Sequence, residues 1–240
     1  MQCDFVSLDG LQNYESMRRF QHQYVEARIR DEIPDTFIFL EHSPVITQGR
    51  GLQRGIEGAY VRHMPAPLSL PSGLEWAESE RGGDLTYHGP GQLVIYPICK
   101  LDGNGFAPKH DVTAYLRTLE LRLIAWLMES WGIVGSAHAD ATGVWVGEKK
   151  LVSIGIAVRK WVTYHGVAIN IVNDLAPFQL FSPCGYPSDV MTRLRDLRPS
   201  DFREPFDWNA WRKTEEGKIA AHFGCSPRVS LESRFSTQAI

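Results

Sequence analysis

Several features that mark other classes of protein are missing from this sequence. Its net charge is −3, so no excess of basic residues marks the whole chain as a nucleic-acid binder. Asp4, Asp9 and Glu15 interrupt the first 15 residues, so we expect no secretory signal. The apolar run at residues 93–99 is far too short to cross a bilayer. We therefore expect a cytoplasmic protein that binds neither nucleic acid nor membrane.

Cysteine is also scarce. The four cysteines, Cys3, Cys99, Cys184 and Cys225, include no C-x-x-C pair, so neither a zinc site nor a disulfide framework is predicted. In a reducing compartment we expect four free thiols. Cys99 ends an apolar strand and is interpreted as a core residue.

The order of the predicted elements indicates an α+β fold with a mixed, mostly antiparallel sheet flanked by helices. The chain has 240 residues and is 43% hydrophobic, which is enough to bury a sizeable core. We interpret residues 1–240 as a single catalytic domain, with about 200–240 as a candidate C-terminal helical appendage. A proline-rich stretch at 62–73 is interpreted as a loop. The predicted strands are 4–8, 36–40, 44–47, 92–98 and several within 143–171, including a hairpin at Gly147; the predicted helices are 12–32, 111–131 and 207–223.

A glycine-rich segment, residues 81–92 (RGGDLTYHGPGQ), is the first candidate for chemistry. Its four glycines allow the backbone to approach a ligand closely, and Arg81 and His88 supply polar groups. The alternative is a tight surface turn with incidental polar residues. The phosphate-binding pattern G-x-x-x-x-G-K-[ST] is absent.

Two further segments lie on predicted strands. Lys149 and Lys150 stand at a hairpin end, where they are either solvated charges or, because an apolar strand follows, placed over a cleft. Gly166 and Ala168 are small residues that suit either a slot for an unbranched alkyl chain or close packing of the strand.

The fourth candidate is Cys184, which stands between Pro183 and Gly185. These neighbours favour a sharp turn that presents the sulfur. The alternative is a cysteine used as a small apolar core residue, which is a common fate of free cysteines.

Taken together and in order, these segments resemble the octanoyltransferase family of lipoate biosynthesis, the octanoyl-[acyl carrier protein]:protein N-octanoyltransferases. The matching text is RGGDLTYHGPGQLVIYP, then KLVSIGIAVRKWVTYHGVAIN, then SPCGY followed by MTRL. It covers roughly residues 36–195, about two thirds of the chain. In the early strand, Ser43 and Gln48 replace the proline and the leucine that are usual in the family.

The resemblance implies a fold related to the catalytic domains of biotin and lipoate protein ligases. It also implies an acyltransferase in which Cys184 carries the acyl thioester and Lys150 is the lysine beside it. The implied walls of the acyl site are Arg81, Gly82, Gly83, Asp84, Leu85, Thr86, Tyr87, His88, Ser153, Ile154, Gly155, Gly166, Val167 and Ala168.

The resemblance further implies the partners and the absence of a cofactor. The donor is octanoyl-acyl carrier protein, and the acceptors are the lipoyl domains of 2-oxoacid dehydrogenase E2 subunits and the glycine cleavage H protein. No metal or nucleotide is expected, because the donor thioester is already activated. Both protein substrates are typically acidic, so basic residues could steer them to the enzyme. The candidates are Arg159, Lys160, Arg193, Arg195 and Arg198. The alternative is that these residues belong to an ordinary solvated surface.

Three other functions stay open from the sequence. They are an ATP-dependent lipoate-protein ligase, an octanoyl amidotransferase between lipoyl proteins, and a non-enzymatic fatty-acyl binding module. The ligase would need a site for an adenylate. The amidotransferase also uses a cysteine, and the binding module would form no covalent adduct.

Overall fold

The computed structural model describes residues 3–51, 70–103, 106, 109–181 and 186–225. The elements are β1 (Cys3–Gln12), α1 (Tyr14–Ile29), β2 (Asp35–His42), β3 (Val45–Gln48), β4 (Glu75–Glu78), β5 (Leu85–His88), β6 (Gln92–Ile98), α2 (Val112–Trp131), β7 (Gly143–Val146), β8 (Lys149–Arg159), β9 (Val162–Asn170), α3 (Leu194–Leu197) and α4 (Trp208–His222). Most of the proline-rich stretch at 62–73 and the predicted nucleophile Cys184 lie outside the described residues.

The larger sheet has six strands in the order β1-β2-β6-β9-β8-β7. Only the β1–β2 pair within it is parallel, and the other four pairs are antiparallel. The predicted α+β fold with a mixed, mostly antiparallel sheet is therefore confirmed. The hairpin between β7 and β8 turns at Gly147, whose φ of 59° is the left-handed geometry expected there.

A second sheet, with the order β4-β3-β5, was not predicted. Its strands have four residues each, and β5 lies inside the glycine-rich segment. The predicted strand 44–47 corresponds to β3, but β4 and β5 carry too few alternating residues to be distinguished from a loop. The glycine-rich segment is thus partly a strand, with turns on either side.

The helices cover the two faces of the larger sheet. Asp111 caps α2 by accepting from Ala114 N, and Gly132 ends the helix in the left-handed conformation, as predicted. One face of α2 is fully buried in the largest core cluster through Tyr115, Leu119, Leu123, Trp126 and Leu127. On the opposite face, α1 contributes to a separate buried cluster with β6 and β9.

The last helix, α4, packs into the core on the α2 side. Ile219 and Phe223 belong to the same buried cluster as α2, and Trp126 Nε1 donates to Glu215 Oε2 at 2.8 Å. The interpretation of residues 1–240 as one domain with a C-terminal appendage stays a prediction. None of the described helices combines the length and apolar character needed to cross a membrane.

The expectation of four free thiols is wrong for one pair of cysteines. Cys3, at the start of β1, and Cys225, just after α4, form a disulfide with Cα atoms 4.9 Å apart. They are 222 residues apart in sequence, so no local pattern predicts the pairing. Cys99 is a buried free thiol whose pKa is raised by burial, as expected for a core residue.

We expect two alkylated cysteines, Cys99 and Cys184, when protein prepared without reductant is denatured and treated with iodoacetamide. Because the disulfide blocks the other two, all four cysteines should be labelled after reduction, as counted by intact-mass spectrometry. A Cys3→Ser variant should release Cys225 for labelling. Four labels on the unreduced wild-type protein would contradict the disulfide.

Candidate active site

A cavity of about 460 Å³ opens beside the glycine-rich segment, β8 and β9. Most of the residues predicted for the acyl site line it. These are Arg81, Gly82, Gly83, Leu85, Thr86, His88, Lys150, Ser153, Ile154, Gly155, Gly166, Val167 and Ala168.

Two of the predicted wall residues, Asp84 and Tyr87, do not line the cavity. The Tyr87 ring packs edge-on against Phe178 in another cluster, with its hydroxyl against Gly89. Asp84 uses its backbone oxygen to accept from Gly49 N at 2.8 Å. Asp84 and Tyr87 therefore belong to the same sequence motif as the cavity residues but do not face the cavity. Ser43 and Gln48, which depart from the family pattern, do not line the cavity either.

The glycine-rich segment is held against β8 by backbone contacts. Gly82 N donates to Ile156 O at 2.9 Å. A Cβ on Gly155 would come within 3.0 Å of Gly82 O, so this glycine makes room for the contact. The Arg81 guanidinium donates through Nη2 to Thr47 O and Thr47 Oγ1, at 2.7 and 2.8 Å. Arg81 therefore anchors the segment to β3.

Lys150 is not a solvated charge. Its side chain is 6% exposed, and its ammonium nitrogen lies 5.5 Å from the centre of the Trp145 ring, within the range of a cation–π contact. Its aliphatic chain crosses Gly143, where a Cβ would come within 2.7 Å of Lys150 Cε. The neighbouring Lys149 is the exposed lysine and pairs with Asp189. Lys150 is therefore placed over a cleft, and Lys149 is a solvated surface charge. The sequence had left both alternatives open for the two lysines.

Gly166 is confirmed as a site of close strand packing, and the slot for an alkyl chain stays a prediction. The residue lines the cavity. A Cβ on Gly166 would also come within 2.4 Å of Ile95 O and of Pro97 Cδ on the neighbouring strand β6. Close strand packing therefore requires glycine at this position, whatever occupies the cavity.

His165 is a cavity residue that the sequence analysis did not include. Its φ is 56°, a left-handed conformation that non-glycine residues rarely adopt. Its cross-strand partner Ile156 lies in the α2-side cluster, whereas the His165 ring lies near Tyr14 and Tyr96 on the other side. The backbone conformation thus turns the imidazole toward the face where its Nε2 bonds to Glu80 Oε2 at 3.2 Å. Backbone strain of this kind cannot be seen in sequence and is often found at functional sites.

The buried histidines of the cavity are neutral at neutral pH, and the ionisable residues Arg81, Asp140 and Lys150 also line it. Burial lowers the pKa of His88 well below its usual range and also lowers the pKa of His165. Behind the cavity wall, burial lowers the pKa of His42 to about 4, and its Nε2 lies 2.6 Å from the Tyr96 hydroxyl. Burial also raises the pKa of Tyr14 and of Tyr96. Neutral rings of this kind can contact an alkyl chain without leaving a charge unsolvated.

The histidines are not arranged as metal ligands. Among the described residues, no three His, Cys, Asp or Glu side chains converge on a point where a metal ion could bind. The ring nitrogens of His42, His88 and His165 instead contact Tyr96, Gln92 and Glu80.

The predicted steering arginines are paired with carboxylates. The pairs, with nitrogen–oxygen distances of 2.9 to 3.2 Å, are Arg159–Glu26, Arg193–Asp196, Arg195–Glu204 and Arg198–Asp201. The positive charge of these four residues is therefore largely balanced nearby.

Two lipoate protein ligases are among the solved structures that share this fold. A lipoate-protein ligase A bound with ATP matches with a TM-score of 0.69 at 15% identity, covering 100% of this chain and 91% of that one. A bipartite lipoate protein ligase of an archaeal lipoylation system, from Thermoplasma acidophilum, matches with a TM-score of 0.62 at 15% identity, covering 99% and 88%. The class of the protein is thus an α+β catalytic domain with the lipoate protein ligase fold.

The sequence relatives are more specific. Residues 13–207 match the family described as the Lipoyl protein ligase A/B catalytic domain. An octanoyltransferase of Klebsiella pneumoniae (strain 342) is 37% identical over 190 residues, 79% of this chain and 81% of the relative. One of Gloeobacter violaceus is 43% identical over 183 residues, 75% of each chain. The chain therefore belongs to the octanoyltransferase family and is an acyltransferase enzyme, as the resemblance predicted.

We expect Gly143→Ala to expose Lys150. The new Cβ would collide with Lys150 Cε and with Val152 O, which a Cβ would approach within 2.3 Å. Lysine acetylation followed by peptide mass spectrometry should show Lys150 reacting slowly in the wild-type protein and several-fold faster in the variant.

Gly147→Ala is the matched control. This glycine stands in the same hairpin with a positive φ, but a Cβ there would have no heavy atom within 4 Å. Both variants carry backbone strain, and only Gly143→Ala should change the acetylation of Lys150. Equal Lys150 reactivity in the two variants would contradict the packing described.

Proposed function

We propose that the protein transfers an octanoyl group from octanoyl-acyl carrier protein to a specific lysine of lipoyl domains, through a thioester on Cys184. The acceptors are the lipoyl domains of 2-oxoacid dehydrogenase E2 subunits and the glycine cleavage H protein, and the reaction is the first step of endogenous lipoate biosynthesis. It takes place in the cytoplasm, without a nucleic-acid or membrane partner. The observation that carries the proposal is the buried ammonium of Lys150 at a cavity lined by aliphatic side chains and neutral histidines.

Lys150 supplies the electrostatics that a cysteine nucleophile needs. A free cysteine has a pKa near 8.5, so it is mostly protonated at neutral pH. An ammonium beside the sulfur stabilises the thiolate, and each unit of pKa lowering corresponds to about 1.4 kcal/mol of interaction. Because Lys150 is shielded from water, its charge acts on a neighbouring sulfur with less screening than a surface lysine would.

The first half of the reaction loads the enzyme. The Cys184 thiolate attacks the carbonyl carbon of the donor thioester, so that a new S–C bond forms and the bond to the phosphopantetheine sulfur breaks. The released phosphopantetheine thiolate takes up a proton from the Lys150 ammonium, which leaves Lys150 neutral for the second half. Backbone amides of the glycine-rich segment are candidates for holding the oxyanion of the tetrahedral intermediate.

The second half of the reaction transfers the acyl group to the acceptor. The neutral amine of the acceptor lysine attacks the thioester, forming the amide and releasing the Cys184 thiolate. The amine must lose a proton, and Lys150 in its neutral form is the preferred base, with His88 as the alternative. We assign His88 to the positioning of the substrate.

The cavity suits an unbranched acyl chain. Its aliphatic wall includes Leu116, Ile154, Ile156 and Val167, and its histidines, His88 and His165, are neutral at neutral pH. Burying an octanoyl chain there is favourable by about 0.8 kcal/mol for each methylene removed from water. No metal or nucleotide is required, since the donor thioester already carries the activation.

We expect mixing with octanoyl-acyl carrier protein to add one octanoyl mass to the protein, on the peptide that contains Cys184. Cys184→Ser should lose this adduct and the transfer of octanoate to an apo lipoyl domain, because the nucleophile is gone. Cys99→Ser is the control, since Cys99 is a buried thiol that does not line the cavity, and it should keep the adduct. Intact-mass and peptide mass spectrometry provide the readout, and full transfer by a folded Cys184→Ser protein would place the nucleophile elsewhere.

The alternative functions give different outcomes in the same assay. An ATP-dependent ligase would modify the lipoyl domain from free octanoate and ATP. An amidotransferase would use an octanoylated H protein as the better donor. A binding module would hold the chain and give no covalent adduct.

A further inference from the structure

Gln92, the first residue of β6, joins two parts of the candidate active site. Its side chain is 1% exposed and lies between His88 and Asn170. Oε1 lies 2.8 Å from His88 Nδ1. Nε2 donates to Tyr87 O at 3.1 Å and to Asn170 Oδ1 at 2.9 Å.

The orientation of the Gln92 amide is fixed by groups that cannot reverse their roles. Tyr87 O is a backbone carbonyl, which only accepts, so the nitrogen of the amide must face it. Asn170 is oriented in the same way, because its Nδ2 donates to the backbone carbonyl Thr192 O at 3.0 Å. Its Oδ1 therefore faces Gln92 Nε2 and also accepts from Asn173 Nδ2 at 3.1 Å.

The protonation of His88 follows from this orientation. Only the oxygen of Gln92 is left to face the ring, so His88 Nδ1 must carry the hydrogen and donate it. In a neutral imidazole the other nitrogen, Nε2, then has a lone pair. It makes no hydrogen bond to any described residue, and the ring lines the cavity.

The same network reaches the strand that carries Lys150. Thr192 O accepts from Asn170, and Thr192 N donates to Lys150 O at 3.0 Å. Asn170 is 1% exposed, and Thr192 is also buried. The chain of bonds therefore fixes His88 relative to the backbone of Lys150.

We propose that Gln92 and Asn170 are positioning residues that hold His88 as the neutral Nδ1–H tautomer, with its Nε2 lone pair directed to the cavity. Given the proposed function, this nitrogen accepts a hydrogen bond from the amine of the acceptor lysine and orients it toward the thioester. Because this hydrogen-bond acceptor is already in place, less ordering is required when the lipoyl domain binds. Neither Gln92 nor Asn170 touches the substrate.

The first test measures the tautomer in the wild-type protein without substrate. Long-range ¹⁵N–¹H NMR at pH 7 should give His88 a pyrrole-like Nδ1 shift and a pyridine-like Nε2 shift, with His88→Ala assigning the signals among the eight histidines. The reverse pattern would overturn the proposal. Because no acyl donor is used, this result stands even if the protein fails to transfer octanoate.

The second test changes the charge beside the ring. In Gln92→Glu the carboxylate favours the protonated imidazole, so the pKa of His88 rises and Nε2 ceases to be an acceptor near neutral pH. Transfer to the lipoyl domain should fall by roughly tenfold or more at pH 7 and recover as the pH is raised, with little change in KM for the acyl donor.

Gln23→Glu is the matched control, since Gln23 is an exposed residue of α1 and receives the same change of charge. It should keep the wild-type pH profile. A folded Gln92→Glu protein in which the pKa of His88 is raised but the profile is that of the wild type would overturn the proposal. If that variant does not fold, or if its new carboxyl group is protonated against Tyr87 O and Asn170 Oδ1, the NMR measurement on the wild-type protein still decides the tautomer. Loss of transfer in the wild-type protein would count against the proposed function alone.

Discussion

A lysine ammonium held away from water is the constraint on which the rest of this site depends. Burying a charge costs free energy unless other groups compensate for it. The Lys150 side chain is accommodated because Gly143 leaves space for its aliphatic part and the Trp145 ring lies near its charge. In turn, Gly143 is held by Glu120 of α2, whose Oε1 accepts from Gly143 N at 2.8 Å. The position of a single cation is thus determined by the packing of α2 on the sheet.

The glycine-rich segment is positioned by a comparable set of contacts at the other side of the cavity. Arg81 bonds to β3, Gly82 bonds to β8, and Gly91 N donates to Glu41 Oε1 at 2.7 Å. The same Glu41 carboxylate accepts from Trp208 Nε1 of α4 through its other oxygen. These bonds connect the smaller sheet, the larger sheet and the last helix around one cavity, whose buried histidines stay neutral. The arrangement places the Lys150 cation at a cavity whose aliphatic side chains suit an apolar acyl chain.

Much of the fold could be predicted from local physical signals in the sequence, whereas most of the cavity lining was implied by the family resemblance. The caps Asp111 and Gly132 and the long apolar stripe of α2 are local signals, and the structure confirms them. The disulfide between Cys3 and Cys225, the pairing of the strands in the smaller sheet and the left-handed backbone of His165 depend on contacts that are distant in sequence, so no local pattern predicts them. The roles of Cys184 and Lys150 rest on the family resemblance and stay predictions.

The pH dependence of Cys184 alkylation tests the central role of the buried cation most directly. We compare the wild-type protein with Lys150→Ala and with Lys149→Ala, which removes the neighbouring exposed lysine. The account predicts a pKa for Cys184 below the usual 8.5 in the wild-type and Lys149→Ala proteins, and a clear rise of that pKa in Lys150→Ala. If Lys150→Ala gives the same alkylation profile as the wild-type protein, Lys150 does not stabilise the thiolate and the account is contradicted.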